Sequence, residues 1–393
     1  MILRHMVASA FATLLLSGAA LAQTAPPASQ TVAFKPGART SGWVEFNLPT
    51  NLPILIPVRI NGQDAAAMIY GGPSMIDKDF AASAGIKVAA DASAPIDGLD
   101  IQIGELTLHA PILRAGAIPV AYYSKIAGHT MPLMLGREVF EQLGVDIDFP
   151  HRQMAFVDSN GVRRPVGAVE VPLVIKGDDK EDQWSVPLSV DGAPPIWVEV
   201  ELGNVIGPLM LTRPYAEAHK LFDGHRTSLR LSGKYHEPVV SLDHVTFAGA
   251  DFPQTPIAII PDPEPPPAGV TGGLGLPLLS QFHLIFDYPH HRLFAVRNPD
   301  AAPIPKDRLG LVIGGVRTNP DQINFTVAFV APGSPAEAAG FKAGDQMTRI
   351  DGKAYKEMTV VELTAFHMAA PGVVHTFTMQ DGSTRTLTTR DFF

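Results

Sequence analysis

The feature that most constrains this chain is a duplication. Residues 135–158 read LGREVFEQLGVDIDFPHRQMAFVD and residues 274–297 read LGLPLLSQFHLIFDYPHHRLFAVR, so Leu, Gly, Gln, Asp, Pro and His recur in register at an offset of 139. A repeat limits architecture before any element is assigned, because each copy must fold the same way and bury the same face. The echo continues upstream. PVRINGQDAAAMIYGGPSMIDKDFA (57–81) and PLSVDGAPPIWVEVELGNVIGPLMLTRPYA (187–216) each read as a strand, a two-residue Asn-Gly or Asp-Gly turn and a second apolar strand. Each half then reads as a Gly-containing loop, a short helix (DKDFAASAG, RPYAEAHKL), more strands, a Leu-Gly turn, a helix and a closing hairpin around Asp-aromatic-Pro-His.

The composition suits such a plan: 46% apolar residues, only 18% charged, with 35 Gly and 36 Pro among 393 residues. That balance favours many short strands joined by turns over long solvated helices. The expected fold is mostly β, a bilobal body of two repeated lobes (31–165 and 166–299) followed by a different unit at 303–393. The segment PDAAPIPKD after Asn298 reads as the linker. PDPEPPPAG (261–269) falls inside the second repeat and reads as a stiff surface excursion.

Residues 1–22 carry one Arg, one His and the apolar run MVASAFATLLLSGAALA ending in Ala20-Leu21-Ala22, the pattern of a secretory signal with a small-x-small cleavage site. The expected location is therefore outside the cytoplasm, periplasmic or extracellular, with no membrane span in the mature chain. The net charge is −9 and no basic stripe is present, which excludes the phosphate neutralisation a nucleic-acid partner would need. With no Cys there is no disulfide, thiolate metal site or Cys nucleophile.

On these residues the two halves resemble the lobes of a bacterial, retropepsin-like aspartic peptidase. The resemblance implies one catalytic Asp per lobe on an Asp-Thr-Gly-Ala-Ser type of loop, braced from beneath by an apolar-Gly turn; Leu135-Gly136 and Leu274-Gly275 match the brace. Two close carboxylates cannot both ionise, so they share a proton, one activating water and the other donating to the scissile carbonyl. Here the first loop reads Tyr70-Gly71-Gly72-Pro73-Ser74 and the second Glu201-Leu202-Gly203-Asn204. Gly72, Ser74 and Gly203 are kept, but the two acid positions hold Tyr70 and Glu201, and Gly71 and Leu202 lack the hydroxyls of the family. A phenol with an ordinary pKa near 10 donates a hydrogen bond but cannot share a carboxylate proton. Three readings follow: a catalytically impaired remnant that binds extended polypeptide, a weakened hydrolase using Glu201 with Tyr70, or an unrelated chemistry. The first lobe is also short between Ile86 and Leu99, where a flap hairpin is expected.

The third unit resembles a PDZ domain through PGSPAEAAGFKAGD, in which Pro332 and Gly333 set a turn, Ala336 to Ala339 start a helix and Gly344-Asp345 open a strand. The resemblance assigns RLGLVIG (308–314), with Leu309, Gly310, Leu311 and Val312, to a loop whose backbone N–H groups hold a terminal carboxylate. It makes 311–314 an edge strand for a bound peptide and 359–370 the helical wall of the groove. The implied partner is polypeptide or a protein C-terminus, unless the groove is blocked and the unit is a rigid appendage. Asp391-Phe392-Phe393 at the end of the sequence resembles such a ligand and can occupy its own or a neighbour's groove.

No cofactor or metal is expected. His290-His291 sits in the recurring turn that also holds Asp148 and His151, there is no H-E-x-x-H, and Ser74 and Ser334 lack a G-x-S-x-G setting. Asp97, Asp100, Asp146 and Asp148 read as turn or strand-end residues, not replacement acids. The expected function is exported polypeptide binding without efficient cleavage, the alternatives being an active aspartic-type endopeptidase and an envelope scaffold.

Overall fold

A computed structural model of the chain describes residues 30–48, 53–88, 95–176, 183–205, 207–232, 235–260, 269–319 and 322–393. The leader expected at 1–22, residues 261–268 of the Pro run and residues 89–94 of the shortened flap region lie outside them.

Strands Leu55–Ile60 and Gln63–Ile69 pair around Asn61-Gly62, both at positive φ (47° and 82°), the geometry that matches a tight turn to the twist of its strands. The second half departs from this plan. Asp191 and Gly192 again take positive φ (46° and 74°), yet pairing between Gln183–Val190 and Ile196–Glu201 stops at Leu188 and Ile196. Pro194 and Pro195 have no N–H to donate there, so the hairpin opens, and Ser189 and Val190 pair instead with Thr246 and Val245.

Beyond that difference the halves are built alike. Among the described residues, each contributes an eight-stranded sheet. In the first, Gln63–Ile69 runs parallel to Leu133–Leu135, which runs antiparallel to Met75–Asp77. In the second, Ile196–Glu201 runs parallel to Gly272–Gly275, which runs antiparallel to Leu209–Thr212. The expected helices form at Lys78–Ser83 and Arg213–Ala218. Asp77 caps the first, accepting from the Phe80 N–H at 2.9 Å. The second half also carries a long hairpin, Arg226–Ser232 with Tyr235–Phe247, in the region where the first half is short.

A sheet of six strands among the described residues joins the halves through their closing hairpins, Gly144–Asp148 with Gln153–Val157 and Phe282–Asp287 with Arg292–Arg297. Its central pairing is symmetric: Asp146 lies opposite Ile285, its own counterpart in the repeat, so the pseudo-twofold axis passes through that pair. Alternation along these strands sends Phe156, Phe282 and Phe286 into the core, each almost wholly buried and worth about 1.5–3 kcal/mol, and Phe294 to the opposite face, where it packs with Val162, Ala168 and Ile285. Tyr288 stacks on Phe286 at 5.5 Å and Phe140 at 5.9 Å, tying the hairpins into one apolar core shared by both halves.

The C-terminal unit has its own core around Leu309, Phe325, Phe341, Met347 and Phe377, and, among the described residues, a five-stranded sheet. The strand order is Leu311–Asn319, Gln322–Val330, Gln346–Ile350, Val374–Met379, Thr384–Thr388. Short helices form at Pro335–Ala338, capped by Ser334, and at Val360–Ala365, capped by Thr359 with Glu362, followed by a 3-10 turn at Phe366–Met368. The unit meets the long hairpin of the body, with Ser228 Oγ donating to the Pro332 carbonyl at 3.3 Å and the His236 ring 4.8 Å from Phe329.

Candidate functional site

Strand pairing aligns the two loops. Ile69 lies opposite Leu135 and Val200 opposite Leu274, and the two Leu are repeat counterparts, so the residues that follow, Tyr70 and Glu201, hold equivalent positions. Gly136 and Gly275 then pass beneath these loops. The Gly136 N–H donates to Ser74 Oγ at 2.9 Å, and the Gly72 carbonyl fills the space a β-carbon at 136 would need. At the equivalent place the Gly207 carbonyl lies against Gly275. Arg137 N–H donates to the Gly72 carbonyl at 3.0 Å, and Leu276 N–H to the Asn204 carbonyl at 2.8 Å. Ser74 is fully buried and its own N–H donates to Glu138 Oε2 at 2.7 Å.

The loops meet across the halves. A β-carbon at Gly71 would lie 2.6 Å from the Val200 carbonyl oxygen, so no side chain fits there, and the hydroxyl that the resemblance places after the first acid is replaced by backbone contact. The Tyr70 ring fills the remaining gap: a β-carbon at Gly72 would be 2.7 Å from its Cε1, and one at Gly203 2.6 Å from its Cδ2. Leu202 is fully buried. The Glu201 carboxylate lies against Gly273 and accepts from Asn204 Nδ2 at 2.8 Å, while Asn204 Oδ1 accepts from the Gly207 N–H at 3.2 Å.

Burial raises the pKa of Glu201, with the Asn204 hydrogen bond pulling the other way. Burial, and then the charges of Glu201 and Glu199, push the Tyr70 phenol above its ordinary value, so it stays neutral. The two loop positions thus hold one carboxyl and one neutral phenol, and the proton sharing that a pair of carboxylates provides has no counterpart between them.

The other acids have structural work. Asp146 bonds His283 at 2.6 Å, Asp148 bonds His151 at 2.8 Å, Asp100 bonds His109 at 2.8 Å, and Asp97 lies in a turn. In the second copy of the recurring turn, buried Asp287 accepts from Ser159 Oγ at 2.6 Å and Arg292 Nε at 2.8 Å and bonds His290 Nδ1 at 2.9 Å. His290 thus serves the turn chemistry that His151 serves in the first copy. Among the described residues no group of three metal-ligating side chains forms.

A second candidate site lies at the edge of the C-terminal sheet. Leu311–Asn319 is an outer strand of that sheet, and with Leu363, Phe366 and Met368 it lines a cavity of about 470 Å³. The body closes the other side with Tyr122, Tyr123, Val205 and Gly207, so the cavity joins the groove to the loop that follows Glu201. Phe393 also lines it, while Asp391 pairs with Arg308 at 2.7 Å. Tyr122 and Tyr123 lie on the helix Val120–Ala127 and were not singled out by sequence reasoning.

Residues 301–376 match the PDZ domain family. The PDZ sheet continues past that match to Thr388. No curated protein matches the chain. Among solved structures the chain is similar to the crystal structure of aspartic proteinase from Irpex lacteus, at 11% identity and a TM-score of 0.40, over 66% of this chain and 97% of that one. In the PDZ domain the four residues singled out by sequence divide into two roles. Leu311 and Val312 belong to the edge strand; Leu309 and Gly310 form the loop before it, and their N–H groups both donate to Asp307 Oδ1, at 3.0 and 2.9 Å. Sequence reasoning did not single out Asp307, although an Asp two and three residues ahead of free N–H groups is a recognisable turn signal.

Proposed function

We propose that this is an exported, catalytically impaired relative of bacterial retropepsin-like aspartic peptidases that binds extended polypeptide. In this reading 31–165 and 166–299 are the peptidase-like lobes and 303–393 the PDZ domain, with Tyr70 and Glu201 at the two former acid positions. One observation carries the impairment: the Tyr70 ring packs against Gly203 and takes up the space between the loops, where a second carboxylate and its water would have to sit. Loss of one member of a catalytic unit costs up to about 10⁶-fold in rate. Binding is supported by the outer PDZ strand, which offers backbone groups for strand addition, and by the apolar cavity beside it.

Residual hydrolysis has one favouring observation, the raised pKa of Glu201, which keeps a protonatable carboxyl beside the loop. Incubating the protein with a denatured substrate between about pH 3 and 7, and reading products by mass spectrometry, separates the two. No cleavage is expected. Cleavage that Glu201→Gln abolishes would establish the hydrolase reading instead. As a companion, Tyr70→Asp with Glu201→Asp should restore activity if the Tyr ring is what closes the site.

A further inference from the structure

The PDZ groove carries a feature that bears on which polypeptides enter it. The N–H groups of Leu309 and Gly310 converge on a single oxygen, Asp307 Oδ1. Those donors belong to the loop at the end of the outer strand, where the carboxylate of a terminal residue would be held. Both residues are buried; Gly310 is in the left-handed region (φ 68°), and a β-carbon there would meet the Ser334 side chain. The loop is therefore held in one conformation and supplied with a carboxylate from its own chain.

An incoming free carboxylate would have to displace Asp307 and then sit beside a second negative charge. Little nearby offsets it. Arg308 is drawn away by Asp391 at 2.7 Å, and Arg230, which lines the cavity, is held by Glu237 at 2.7 Å. Lys306 also lines the cavity, where Asp391 is the acid whose charge acts on it; burial keeps His367 below its ordinary range. The rest of the lining is largely apolar, and the cavity runs on past the loop to Val205 and Gly207 of the body, so a chain lying on the outer strand has somewhere to continue.

We propose that this groove selects internal apolar segments of polypeptide over free C-termini, and that Asp307 is the residue that sets the preference. The inference rests on the reading of the groove as a polypeptide site and deepens it. Pairing along the strand Leu311–Asn319 supplies affinity through backbone hydrogen bonds that any extended segment makes, and the apolar walls take alternate side chains. Asp307 contributes by exclusion, leaving a terminal carboxylate without the Leu309 and Gly310 N–H groups and facing like charge.

The test uses the full chain and three fluorescein-labelled peptide pools that share four positions randomised among Val, Ile, Leu and Phe. One pool ends there with a free carboxylate, one ends there as an amide, and one continues with Gly-Ser-Gly-amide. In fluorescence anisotropy the continuing pool is expected to bind at least tenfold tighter than the free-carboxylate pool. Asp307→Ala should remove that difference by strengthening carboxylate binding, and Asp307→Asn, which keeps the acceptor oxygen without the charge, should narrow it; circular dichroism checks that both variants fold. Equal binding of the pools, a preference for the carboxylate pool, or a preference unchanged in both variants would overturn the proposal. If no pool binds the native chain or either variant, the polypeptide-binding reading itself fails and takes this inference with it.

Discussion

The ring of Tyr70 lies against Gly203, so close that a β-carbon at 203 would stand 2.6 Å from Tyr70 Cδ2. These residues come from different halves of the repeat, and their contact packs the two loops against each other. Gly203→Ala is expected to lose about 1–3 kcal/mol by overpacking. In a Tyr70→Ala background the same substitution should cost much less. Urea unfolding of the four proteins in a double-mutant cycle measures the coupling, and additive effects would mean that the contact carries no energy.

Glu201 has a raised pKa because it is buried, so its proton is held more tightly in the folded chain than in the unfolded one. Its favourable contribution is complete below the ordinary Glu value of about 4.3 and is lost as pH rises through the folded value. Glu201→Gln keeps an oxygen to accept from Asn204 and removes the charge. The variant should melt higher than the native chain at pH 7, with the gain fading towards pH 4. Thermal unfolding across that range checks the sign; a gain independent of pH would point to packing instead.

Ser74 reaches the Gly136 N–H from a fully buried position, and Gly136 lies against the Gly72 carbonyl of the first loop. Ser74→Ala leaves that N–H without its acceptor and is expected to cost about 1–3 kcal/mol. Urea unfolding measures it. A loss below about 0.5 kcal/mol would mean that water or a shifted loop replaces the hydroxyl.

Asp287 behaves in the opposite sense to Glu201. Burial alone would raise its pKa, but the hydrogen bonds from Ser159, His290 and Arg292 outweigh this and lower it. Its contribution is therefore present above the ordinary Asp value of about 3.9 and is lost as pH falls through the folded value. Asp287→Asn should destabilise at pH 7 by about 1.5–3 kcal/mol, the scale of a hydrogen bond to a charged group, and the gap to the native chain should close in strong acid. Denaturant midpoints at pH 7 and near pH 2 test both halves of this expectation.

Much of the body was legible in residue order. The repeat announced two like lobes, and Asn61-Gly62 announced a tight hairpin because only residues tolerant of positive φ form it. The resemblance set Leu135-Gly136 and Leu274-Gly275 against the loops, and in the structure a carbonyl from the loop lies where a β-carbon at Gly136 or Gly275 would sit. The second hairpin was misread because Asp191-Gly192 carries the same local signal, while Pro194 and Pro195 deny the next strand the donors its ladder needs.

Local pattern specifies strands, turns and the face each residue presents, and that was enough to determine a duplicated, mostly β body and a separate C-terminal unit. What a side chain touches across a hundred or more residues is decided only when the sheets close. Tertiary structure alone set the Tyr70 ring on Gly203, closed Gly71 against Val200 and joined the PDZ groove to Val205 and Gly207 in one cavity. The physical reason is that these contacts depend on how two lobes and a third unit are pressed together, and burial and distance between them have no periodicity for a sequence to display.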